Sequence, residues 1–223
     1  LMQVILATNR YHATEVENLS ILATAINKLE PAQSFPVLDL ARLTVLHPHA
    51  SGAPHEMVWT NMFEETIALF TSPASQEGPA IPMLSFRLFA NALKGGPGSQ
   101  RALLPLLETI LISCVIPHVT TNNKNVRLAL TTFLLNISVH AKSSALPRSA
   151  VPLEVIITAV SSILTNYKSY EEAATMRTLL TLGTLCLTYQ AEAKSFANTL
   201  FLTSKVELAA SSHSPDVKAA AKE

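Results

Sequence analysis

Phe86-Arg87-Leu88-Phe89-Ala90-Asn91 and, forty-five residues later, Thr131-Thr132-Phe133-Leu134-Leu135-Asn136 stand in one register. Asn91 and Asn136 each follow slots 87 and 132 by one helical turn. Moving the same ruler outward finds Arg42 in Leu40-Ala41-Arg42-Leu43 and Arg177 in Met176-Arg177-Thr178. Each slot lies in an apolar run longer than eight residues, and length decides for helix over strand. A period near 45 falls in the range of about 40 to 47 residues of HEAT and armadillo units. The expected fold is therefore all-α, an armadillo-like helical-repeat solenoid. In such a stack each repeat buries its sides against neighbours and leaves one helix face free as a ladder of contacts.

The punctuation around these slots is helical. Thr14 and Glu17 have the spacing of a capping box ahead of Leu19, Leu22, Ile26 and Leu29, and Pro31 closes that segment. Helices are expected over Phe35–Leu46, Met57–Phe70, Ile81–Leu93, Ser99–Val119, Asn122–His140, Pro152–Tyr167 and Glu171–Tyr189. Shorter ones follow over Ala191–Leu202 and the C-terminal tail. Pro36 and Pro82 fall in first turns, where the missing N–H costs nothing, and Gly95-Gly96 follows a helix end. The short connections suit helices packed beside their sequence neighbours.

Composition agrees. Of 223 residues, 48% are apolar and 14% charged, which excludes disorder, and six glycines are too few for a turn-rich β fold. Cys114 and Cys186 both sit in apolar runs and read as reduced, buried thiols in a reducing compartment. The opening residues carry no signal-peptide pattern, and the chain is expected to be one domain, 1–223, of a longer multidomain protein. The most apolar stretch, Ala102–Val119, contains Pro105, Glu108 and Pro117 and reads as a buried helix rather than a membrane span.

The net charge is zero but unevenly placed. Residues 1–80 sum to −5, 81–148 to +6 and 149–223 to −1. A basic middle third gives a positive potential suited to an acidic ligand; the bland alternative is a scattered solvated surface. An arginine inside an apolar helix must either pair with an acid or carry its head into a wet groove while its stem packs. For Arg42 the local partner is Asp39, three residues earlier on the same face. Arg87 and Arg177 have no acid within four residues, so a groove-facing role is expected for them. A guanidinium fork there suits a carboxylate or a chain terminus.

Four segments then resemble one family in the same order. They are Phe35-Pro36-Val37-Leu38-Asp39-Leu40-Ala41-Arg42-Leu43 with Leu46-His47-Pro48; Ser85 to Asn91; Asn123-Lys124-Asn125-Val126-Arg127-Leu128-Ala129-Leu130; and Arg177 to Leu185. Together they resemble the PUL domain of the phospholipase-activating-protein family of ubiquitin-binding adaptors, found also in fungal thioredoxin-like and PPPDE peptidase fusions. The resemblance implies a curved armadillo-like stack whose groove takes the acidic, tyrosine-containing C-terminal tail of the AAA ATPase valosin-containing protein. Ubiquitin-pathway proteins would be met through the rest of the parent chain, in cytoplasm and nucleus, with no cofactor. Groove residues carried over by motif are Arg42 and Arg177, with Arg87 and Asn91 as neighbours and Lys124 from the Asn-Lys-Asn loop. Asn136 joins them from the repeat register. Ala50–Met62 and the loop Gly95–Ser99 fall outside the resemblance.

Other functions fit less well. Binding of RNA by a helical scaffold needs clustered bases with stacking aromatics, and Phe86, Phe89 and Phe133 read as core. Cys114 and His118 are four apart, but a thiol among Ile112, Val115 and Ile116 is not an exposed, low-pKa nucleophile. Gly95-Gly96-Pro97-Gly98-Ser99 lacks the lysine of a phosphate-binding loop. His47, His49 and His55 give only a sparse metal-ligand spacing. Another acidic peptide as ligand, or service as the accessory domain of a peptidase fusion, remain the alternatives to a non-catalytic adaptor.

Overall fold

The computed structural model describes residues 18–30, 33–73, 78–212 and 215–221. Thr14, Glu17 and Pro31 lie outside the described residues, and so does the proposed cap they would form. Among the described residues there is no strand. Helices occupy the stretches expected from the sequence, but the one expected over Ser99–Val119 is divided into α, 3-10 and π segments. The chain divides into two compact units, residues 1–107 and 108–223.

The first unit contains α1 (Ser20–Lys28), α2 (Phe35–Thr44), α3 (Glu56–Thr71), α4 (Ala80–Ala92) and α5 (Pro97–Leu103). They form two rows: α1 packs on α3 and α3 on α5, while α2 packs on α4. The row order follows from burial. α2 turns Leu38, Ala41 and Thr44 inward at helical spacing. α4 is buried almost all round, with Phe86 and Phe89 fully enclosed. Each such aromatic contributes about 2 to 3 kcal/mol of burial. Phe70 meets Phe86 edge-on at 5.1 Å, Phe63 meets Phe89 at 6.1 Å, and Trp59 stacks on Phe63 at 5.7 Å.

The two segments outside the family resemblance dock on each other here. The Trp59 indole N–H donates to the Ala50 carbonyl at 2.7 Å. The Ser51 carbonyl accepts from Gly98 N and Ser99 N, and the Ser51 hydroxyl oxygen accepts from Gly96 N. A Cβ on Gly98 would lie 2.0 Å from the Gly52 carbonyl oxygen, so this close backbone approach requires glycine.

The second unit contains α6 (Leu107–Ile110, starting at the boundary), a π-helical turn at Leu111–Val115 and α7 (Ile116–His118). Then come α8 (Lys124–Ser143), α9 (Leu153–Thr165), α10 (Glu172–Thr188), α11 (Gln190–Thr199), α12 (Leu202–Ser212) and α13 (Pro215–Ala220). Again there are two rows: α8 packs on α10 and α10 on α13, while the π turn packs on α9 and α9 on α12. The single helix expected over Ala191–Leu202 is broken. Phe201 takes a left-handed φ of 53° and Leu202 starts the next helix. Among the described residues one helical run, Pro97–His118, is long and apolar enough to cross a bilayer. Its Leu103, Leu107, Ile110, Leu111, Cys114 and Val115 are fully enclosed in protein, as in a core helix.

Candidate partner-binding surfaces

In the first unit the sequence slots fall on the row made by α2 and α4. Between Ile81 and Leu93, Arg87 is the one exposed residue, and Met83 and Asn91, one turn to either side, are half-buried. The rest of α4 is core, so the helix shows solvent a single ladder with an arginine at its middle rung. The Asn91 side-chain amide donates to the Arg42 carbonyl at 2.7 Å, joining the C-terminal turns of α4 and α2. The two helices therefore run parallel, as successive repeats must. Arg42 forms the local ion pair its spacing allowed: Nε donates to Asp39 Oδ1 at 2.7 Å, with side chains 24% and 46% exposed. Such a half-exposed pair contributes less than about 1 kcal/mol to the fold. Arg42, Arg87 and Asn91 are thus brought together on two packed helices.

In the second unit, Lys124 is exposed at the first position of α8, just after Asn123, whose side chain accepts from Asn125 N and Val126 N as the cap. Asn136 lies on the same helix but is buried and engaged within the protein, so it does not offer its amide to solvent. Thr132 occupies the arginine slot of that repeat and turns its hydroxyl back onto the Leu128 carbonyl at 2.6 Å. Arg177, on α10, is half-buried, and its Nη1 is fully buried with no hydrogen-bond partner among the described residues. A buried donor left unsatisfied costs about 1 to 3 kcal/mol, more when charged. The open stripe of α10 continues from Arg177 through Leu180, Thr184 and Leu187.

Arg127 leaves the basic surface that the charge count suggested. It is 8% exposed and grips Glu171 with two nitrogens, Nε to Oε2 at 3.0 Å and Nη2 to Oε1 at 2.5 Å. Nη1 donates to the Thr121 carbonyl, and the guanidinium lies 5.4 Å from the Tyr170 ring centre. Tyr170 in turn donates its hydroxyl to the Val119 carbonyl at 2.7 Å. The hydrogen bond from Arg127 holds the Glu171 carboxyl below the ordinary range, with smaller help from Lys124. Arg101 is also spent, on Glu56 at 2.6 Å, and Arg148 donates to the Val151 carbonyl. The signal that could have found the Arg127 latch was the period itself, because Glu171 lies 44 residues on.

The other chemistry-bearing residues do not assemble. Cys114 is buried and burial pushes its thiol up to about 12. His118 Nδ1 donates to the Cys114 carbonyl at 3.0 Å rather than facing the sulfur. Cys186 is only half-buried, in contrast to the enclosed thiol the sequence suggested, and both cysteines are free. His49 and His55 meet edge-on at 5.1 Å while His47 is buried. Among the described residues no group of three or more His, Cys, Asp or Glu could hold a metal ion. A cleft of about 390 Å³ in the second unit is lined by Leu179, Leu182, Cys186, Leu202, Val206 and Ala220 among others, and includes none of the expected partner-binding residues.

Comparison with known proteins matches the chain to a family. Phospholipase A-2-activating protein of Xenopus laevis is 29% identical over 175 residues, which is 78% of this chain and 20% of that protein. The chain thus spans about one fifth of the length of this curated relative. The PUL domain profile matches residues 1–223, so the chain belongs to the PUL domain family.

Proposed function

We propose that the chain captures the acidic C-terminal tail of the AAA ATPase valosin-containing protein, in the cytoplasm and nucleus, as an adaptor in ubiquitin-dependent degradation. Family membership supports the coarser statement, a protein-interaction adaptor module. The observation that carries the finer one is Arg177: a half-buried residue whose Nη1 is buried and has no partner among the described residues. A carboxylate bound at the open side of Arg177 would supply a counter-charge, and pairing with Nη1 itself requires the side chain to turn outward. Within the first unit Arg42 and Arg87 are two further cations on the packed helices α2 and α4, and within the second Lys124 stands at the α8 start.

Isothermal titration with a synthetic peptide of that tail tests the reading. Wild-type protein binds, and Arg42→Ala combined with Arg177→Ala abolishes the heat while far-UV circular dichroism and melting stay unchanged. Equal binding by the double variant refutes the assignment. Equal binding of a scrambled acidic peptide keeps the acidic-ligand reading and removes the named partner.

A further inference from the structure

We propose that Asp39 and Asn91 are positioning residues that fix Arg42 at both its ends, so that the terminal edge of its guanidinium is presented ready-oriented to a partner carboxylate. The inference rests on the acidic-peptide reading above and concerns how one of its arginines works.

A guanidinium has two edges that can hold a carboxylate: a side edge that includes Nε, and an end edge of the two Nη nitrogens. Asp39 takes the side edge through Nε at 2.7 Å. Among the described residues the Nη nitrogens form no hydrogen bond, and the side chain keeps 24% of its surface open. The pair therefore leaves the end edge free while removing the freedom of the last side-chain torsions. At the other end, Asn91 Nδ2 donates to the Arg42 carbonyl at 2.7 Å. That carbonyl belongs to the last turn of α2, whose acceptors lack intrahelical partners. Asn91 thus anchors the Arg42 backbone to α4, one turn after the exposed Arg87. Both holding contacts come from residues that need not touch the ligand.

The proposal predicts a sign that simple charge counting gets wrong. Removing an acid beside a cationic site should strengthen an acidic ligand if Asp39 only repels it. If Asp39 orients Arg42, its loss weakens the ligand, since an unordered long side chain must be immobilised on binding. Titration of the full chain with the valosin-containing-protein tail peptide reads this directly. Asp39→Ala is expected to bind on the order of threefold to tenfold more weakly, the cost of ordering one side chain. Asp39→Asn keeps an oxygen acceptor for Nε and loses the charge, so it is expected to bind at least as tightly as wild type. Asn91→Ala weakens binding in the same range. Nitrogen NMR of the Arg42 Nε–H group supplies a readout without ligand: exchange with water is slow in wild type and Asp39→Asn, and fast in Asp39→Ala.

Tighter or unchanged binding by Asp39→Ala overturns the proposal while leaving the functional reading in place. So does weak binding by Asp39→Asn equal to that of Asp39→Ala. A wild-type chain that gives no heat with the peptide sinks the functional reading and this inference with it. The slow Nε–H signal would then mark the pair as structural only.

Discussion

Arg127 and Glu171, 44 residues apart, close a two-pronged ion pair between the first turn of α8 and the residue that opens α10. The separation is no accident of this pair. Ser51 meets Gly96 and Glu56 meets Arg101 at 45 residues, Ser161 meets Lys205 at 44, and Leu146 meets Tyr189 at 43. Each contact joins equivalent places in stacked repeats of one unit, so the sequence period is the physical step of the stack. Because Arg127 is 9% exposed at its side chain, removing its counter-ion leaves a guanidinium enclosed and unpaired. Glu171→Ala is expected to lower stability by about 2 kcal/mol, below the 3 to 5 of a fully buried pair because Glu171 is 31% exposed. The urea midpoint at neutral pH measures it. Arg127→Met with Glu171→Leu should recover most of the loss, and a single-variant loss no larger than that of a surface pair would show the latch to be ornamental.

Acid should weaken the fold in two steps. The Glu171 carboxyl is held low, first by the hydrogen bond from Arg127. Its contribution is complete above its ordinary value of 4.5 and is lost as pH falls below that value through the folded one. His140 and His118 are held below their ordinary value of 6.5, first by burial. Above 6.5 they are neutral in both states; below it the unfolded chain takes up protons that the folded chain refuses, so stability falls. Urea midpoints measured from pH 8 to 4 should therefore drop first below about 6.5 and again below about 4.5. Glu171→Gln should remove the second drop and His140→Gln should shrink the first. Identical slopes in wild type and both variants would contradict these assignments.

The helices and their period were legible because both are written locally. Apolar runs of helical length, prolines in first turns and the 45-residue spacing of Arg42, Arg87 and Arg177 need no knowledge of the partner surface. What stayed hidden depends on contacts between repeats. Arg127 looks like one more base in the middle third until Glu171 is seen to meet it. Asn91 reads as a groove residue, and the structure shows its amide on the Arg42 carbonyl. The Gly95–Ser99 loop and the Ala50–Met62 segment resembled nothing individually, because their sequence is shaped by each other's backbone. The π turn at Leu111–Val115 lies just ahead of Pro117, whose missing N–H disturbs the helix, whereas the break at Phe201 has no glycine to mark it.

Two glycines give opposite expectations for one substitution. At Gly98 a methyl group would sit 2.0 Å from the Gly52 carbonyl oxygen, which is backbone and cannot swing aside. Gly98→Ala must push apart the loops that Ser51 ties together, at a cost of about 2 to 3 kcal/mol, the range of an overpacked site. At Gly183, inside α10, the same methyl group meets nothing within 4 Å. Gly183→Ala should stabilise by about 0.5 to 1 kcal/mol through helix propensity and a less disordered unfolded chain. Thermal melts of the two variants beside wild type should bracket it. Trp59, the one tryptophan, lies in the first unit, so its fluorescence reports the Gly98 effect there.

Arg177 offers the sharpest separation of function from stability. A residue kept for the fold loses stability when replaced; a residue kept for a ligand can gain it. The buried Nη1 of Arg177 has no acceptor among the described residues, so the folded state already bears its desolvation cost. Arg177→Met keeps a long, flexible apolar stem and removes the unsatisfied group. Its melting midpoint should be equal to wild type or higher, by up to about 1 kcal/mol in stability. Its affinity for the acidic tail peptide should fall by more than about tenfold, the loss of one charge-assisted fork. Arg177→Lys keeps the charge without the fork and should lie between the two in binding. A Met variant that melts well below wild type would place Arg177 among the residues that hold the stack together, and the peptide would need another anchor.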